Sequence, residues 1–109
     1  MRKLLTIAFL MGLQGAALAA EILPDLGTDG SLERPKGKPR GSIILMPGSD
    51  GDLRIGSDGE INRMLNNSLI RNRRAFVAGG YATLSLSSSG NPARAIEAMR
   101  KIAQPVIVV

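Results

Sequence analysis

The chain has 109 residues, no cysteine and no histidine, and a formal charge of +5 from 14 basic and 9 acidic side chains. It cannot hold a Ser-His-Asp triad, a Cys-His dyad or a His- or Cys-based metal site, so any catalysis of its own would run on carboxylates, Lys, Tyr or Ser alone. Nucleic-acid binding wants clustered charge interleaved with stacking aromatics, and the aromatic residues are only Phe9, Phe76 and Tyr81.

The chain opens with a basic start (Arg2, Lys3), an apolar run from Leu4 to Leu13 and small residues ending in Ala17-Leu18-Ala19. That is the pattern of a secretory signal cleaved after Ala19, and it predicts an exported protein, periplasmic or secreted. The apolar run is short for a membrane span of about 20 residues, and no second one follows, so no stable span is expected after cleavage. Removing residues 1–19 leaves 90 residues and lowers the charge to +3. Without disulfides, a chain of that size relies on core burial alone.

Residues 20–40 carry Gly, Pro and charge with little periodicity, which predicts a mobile linker with a short edge strand near Ser31–Arg34. Ser42–Met46 is an uninterrupted apolar run between Gly41 and Pro47, the pattern of a strand buried on both faces. Residues 60–78 read as a helix, with Ile61, Met64, Leu65, Leu69 and Phe76 on one arc and Arg63, Asn67, Arg71 and Arg74 on the other, ended by Gly79-Gly80. Residues 81–87 alternate as a second strand, with Ala82, Leu84 and Leu86 on one face and Tyr81, Thr83 and Ser85 on the other. After a loop at 87–91, Asn91-Pro92 starts a helix to about Gln104, and residues 105–109, "PVIVV", form a third strand.

The order strand, helix, strand, helix, strand predicts an α/β fold with a partial parallel sheet over residues 41–109. A strand as apolar as "PVIVV" suits a sheet centre, so the sequence reads as the front part of a longer chain.

The Gly-rich loop "PGSDGD" (47–52) fits neither a Walker phosphate loop, which needs a second Gly followed by Lys, nor a G-x-G-x-x-G dinucleotide turn. Asp50, Asp52, Asp58 and Glu60 fail calcium-loop spacing, with Arg54 or Arg63 standing where ligands or glycine belong. They read more simply as turn carboxylates bonding their own backbone, and no metal or cofactor is expected. An oxyanion hole remains, because it needs backbone N–H groups at the end of a central strand, where Gly48 and Ser49 stand.

The run from Lys36 to Ser87, "KGKPRGSIILMPGSDGDL…RNRRAFVAGGYATLSLS", followed by a helix and "PVIVV", resembles the N-terminal half of an α/β-hydrolase, and within that fold an exported dienelactone-hydrolase-like group. The resemblance covers about residues 34–109. It implies an incomplete α/β-hydrolase fold in which the Gly48–Ser49 segment is the oxyanion loop of a serine esterase. The G-x-S-x-G elbow, the acid and the His would then all lie beyond Val109, so no catalytic residue is assigned within the chain, which would be inactive alone. A small-molecule ester would be its substrate only when a C-terminal half completes it.

The competing reading is a small exported binding or structural protein that uses the Arg63–Asn67–Arg71–Arg74 stripe to meet an acidic partner. A solvated helix face is the simpler account of that stripe. Ser85, Ser87, Ser88 and Ser89 invite a nucleophile reading, but with no base in reach they read as loop residues.

Overall fold

The computed structural model describes residues 18–48 and 51–109. The signal expected over 1–19 therefore lies outside the described residues except for Leu18 and Ala19. Ser49 and Asp50 lie outside them too.

The first strands come from the segment expected to be a linker. β1 (Glu21–Leu23) and β2 (Gly27–Glu33) form an antiparallel hairpin, and β2 pairs antiparallel with β4 (Tyr81–Leu86), joining Gly30 to Leu86 and Glu33 to Thr83. The short strand expected near Ser31–Arg34 overlaps β2, which is longer and lies inside the sheet between β1 and β4. "GTDGSLE" has a single β-branched residue, Thr28, and no aromatic one, but its alternate side chains reach two different interiors. Leu32 enters the apolar core, while Ser31 and Glu33 are buried on the opposite face, each with a polar partner.

β3 (Gly41–Leu45) is buried at every residue, as its composition predicts. It lies parallel to β4 on one side and to β5 (Val106–Val108) on the other. The five-stranded sheet has the order β1-β2-β4-β3-β5. It is mixed rather than parallel throughout, and the parallel part is the predicted strand-helix-strand-helix-strand unit.

The helix expected over 60–78 is shorter and broken. α1 (Ser68–Arg71) and α2 (Arg73–Ala78) occupy only the second half, with Asn72 between them at φ −98° and ψ 6°. Ile70 and Val77 are their buried residues, not Leu69 and Phe76. Asn67 stops the helix from starting earlier: its backbone is extended and its side chain accepts from the N–H groups of Leu69 and Ile70. The preceding residues form a loop whose Leu53, Ile55 and Ile61 pack with Ile70 in a second apolar cluster. Of the apolar residues read as that part of the helix face, Ile61 is buried in this loop cluster and Met64 packs against it, while Leu65 is 50% exposed.

α3 (Pro92–Arg100) starts as predicted, with Asn91 accepting from the Arg94 N–H at 3.2 Å. It ends at Arg100, short of Gln104. Its Ala95, Ala98 and Met99 pack on Leu32, Ile44, Ala82, Leu84 and Leu86, so it covers one face of the sheet. Ser42 points from β3 to that side, its hydroxyl 2.7 Å from the Ala103 carbonyl and 3.2 Å from that of Met99, which also accepts the N–H groups of Ile102 and Ala103. The other face is covered by α2, held through Arg73 and Arg74 to Glu33, and by the 51–62 loop. Crossovers on opposite faces make the parallel unit doubly wound about β3.

Candidate functional site

An open cleft of about 510 Å³ lies at the carboxyl ends of β3 and β4. This is where an open α/β sheet places its ligands, because the loops leaving neighbouring strands part there to opposite faces. Its lining comes from the end of β3 (Met46, Pro47, Gly48), the end of β4 (Leu86, Ser87, Ser88), and Gly90 and Pro92 at the start of α3. None of these side chains is charged. Polar recognition in such a cleft falls to hydroxyls and backbone groups.

Gly48 has φ +112°, with open space where a Cβ would stand. Its need for glycine is therefore conformational, because L side chains avoid that region. Its carbonyl accepts the Gly51 N–H at 3.0 Å. The segment leaving β3 is also held from outside: Asn67 Nδ2 donates to the Pro47 carbonyl at 3.3 Å while Asn67 Oδ1 caps α1. Asn67 thus fixes the loop and starts the helix with one amide. The sequence reading placed it on a solvent-facing stripe and missed this role, although Asn ahead of Ser-Leu-Ile is an N-cap signal.

Gly48, one of the two residues of the oxyanion-loop expectation, follows β3 and lines the cleft. Ser49, the other residue of that expectation, falls outside the described residues.

The serines divide by partner. Ser87, 4% exposed, accepts the Leu53 N–H at 3.0 Å and lies 3.3 Å from the Gly51 carbonyl and 3.5 Å from an Asp52 carboxylate oxygen. It ties the loop after β3 to the end of β4. Ser89 donates to Asp29 at 2.6 Å, and Ser85 is buried within β4. Asp52 and Asp58 accept the N–H groups of Arg54 and Glu60 two residues on, as turn carboxylates do.

The arginine stripe does not form. Arg63 lies outside the helices and donates to the Asp52 carbonyl at 3.2 Å. Arg74 joins Arg73 on Glu33, at 3.2 Å and 2.7 Å. Arg71 stands exposed at the end of α1, as Arg63 and Arg74 also do, but the three do not lie along one continuous helix.

One further relationship bears on the cleft. β3 and β5 end level with each other, the Met46 N–H donating to the Val109 carbonyl at 3.0 Å. No family model, curated protein or solved structure matches this chain. Among the described residues, no helix is long and apolar enough to cross a membrane.

Proposed function

We propose that this chain is the oxyanion-side portion of an exported serine hydrolase of the α/β-hydrolase type, acting on small esters or lactones. In that fold the oxyanion hole takes one backbone N–H from the loop between the third strand and its helix, and one from the residue after a serine at a strand-to-helix elbow. The observation that supports the reading is the level ends of β3 and β5: an elbow that followed β5 would start near the Gly48 turn.

The strand order 1-2-4-3-5, with an antiparallel hairpin on one side and a doubly wound parallel unit on the other, supports it as the arrangement with which an α/β-hydrolase sheet begins. The uncharged cleft suits a neutral acyl group, and Ile107 and Val108, nearly half exposed, suit a strand with further structure beside it.

The chemistry would be acyl transfer: a serine oxygen attacks the ester carbonyl, the carbonyl oxygen gains charge, and the loop N–H receives it. The chain has no His, so its own residues supply the anion-stabilising half and neither nucleophile nor base. The basic start, apolar run and Ala17-Leu18-Ala19 support export.

The test is ester hydrolysis and fluorophosphonate labelling, measured on the 109-residue chain and on the chain extended by the coding sequence that follows Val109. The reading expects no turnover and no label for the first, and both for the second. Labelling of the short chain, or inactivity of a folded extended one, overturns it.

A further inference from the structure

We propose that the Ala19–Ala20 bond is a processing site and that the α-ammonium freed on Ala20 docks against the Glu60 carboxylate. The inference rests on the export reading and not on the hydrolase reading. In sequence, Ala17 and Ala19 are the small residues that a signal-cleaving protease reads, behind a basic and apolar leader.

The fold agrees with that position from the other side. β1 starts at Glu21, and Leu18 to Ala20 precede it without regular structure. Leu18 and Ala19 are exposed, Leu18 at 45%, so the apolar side chain before the bond takes no part in the core. Cutting after Ala19 removes a single described tie, the Leu18 N–H to the Arg34 carbonyl, and leaves every pairing of β1 with β2 in place.

The new terminus would open onto a prepared surface. Ala20 lines a cavity of about 300 Å³ together with Leu18, Ala19, Glu33, Glu60 and Arg74. Glu33 is already matched by Arg73 and Arg74. Among the described residues Glu60 has no ion-pair partner; only its backbone is engaged, its N–H bonding Asp58 and its carbonyl accepting from Gly56 and Asn62. Hydrolysis adds water across the bond, the carboxylate leaving on Ala19 and the amine staying on Ala20. At neutral pH that amine is largely protonated, and it gives Glu60 a cation that it lacks among the described residues of the uncut chain.

The full chain is expressed with its leader in a bacterium, and the exported fraction is read by intact mass and N-terminal sequencing. The expected N-terminus is Ala20; Ala19→Arg leaves the leader attached. A chain retaining Met1, or one exported but cut elsewhere, overturns the site. Docking is read on the cut chain by the rate at which an amine-reactive ester acylates the α-amine at neutral pH, Ala20 being located by peptide mapping. Glu60→Gln and Glu60→Ala are each expected to raise that rate about threefold, because loss of the carboxylate lowers the amine's affinity for its proton. Equal rates in all three overturn the docking while leaving the cleavage site standing. No activity is read, so neither outcome bears on the oxyanion loop.

Discussion

Met46 donates its backbone N–H to the carbonyl of Val109 at 3.0 Å, and Val109 returns its own N–H to Ile44 at 2.8 Å. The two strands therefore end side by side at the mouth of the cleft, with the left-handed Gly48 turn leaving one of them. Charge developing on a substrate there would be met by backbone dipoles, since the lining side chains are uncharged.

Gly48 is expected to be needed for the turn and, in the extended chain, for turnover. A Gly48→Val change forces a β-branched residue to φ +112° and reshapes the loop. If an oxyanion donor is misplaced, kcat for ester hydrolysis falls by about 100-fold or more, with a smaller change in KM. Unchanged kcat in a folded variant would remove the loop from the mechanism.

Asn67→Ala should cost about 1–2 kcal/mol in a urea titration, the usual loss for a helix N-cap with a tie to a neighbouring loop added. Asn67→Asp keeps the cap oxygen but loses the Nδ2 donor to Pro47. It should restore most of the stability without restoring the loop's order, read as faster amide exchange at Gly51.

Glu33 and Arg73 make a buried ion pair, with 4% and 11% of their side chains exposed. Glu33→Ala strands Arg73 without its counter-charge and should cost about 3–5 kcal/mol. Replacing both with apolar residues of similar volume should cost less than that single change, as a double-mutant cycle in urea would show.

Ser87→Ala tests whether this serine holds structure or does chemistry. The Leu53 N–H loses its acceptor, and the expected cost is about 1–3 kcal/mol. Under the proposed function, fluorophosphonate labelling of the extended chain should persist in the variant, because that reading assigns the reactive serine to an elbow after β5.

The sequence made β3, β4, β5 and α3 readable because each carries a local signal: an apolar run, strict alternation, or an Asn-Pro start. β1 and the first half of β2 escaped, with only a short strand near Ser31–Arg34 expected, because their stability is tertiary. Ser31 and Glu33 are acceptable inside only because the Gly59 carbonyl and Arg73 and Arg74 reach them from distant sequence. The helix over 60–67 was over-read because loop residues such as Leu53, Ile55 and Ile61 were burying their own cluster. At the site, the Gly48 turn was legible from Pro-Gly after a strand. The grip of Asn67 on Pro47 was not, since it depends on where the helix starts in space.

The measurement that tests the central claim most directly is the nucleotide sequence beyond the codon for Val109, read in all forward frames. The account predicts a G-x-S-x-G elbow within a few residues of Val109, then an acid and a histidine further on. A long downstream sequence with none of these in any frame would contradict it, and the Gly48 turn would then be a strand-ending turn in a small α/β protein.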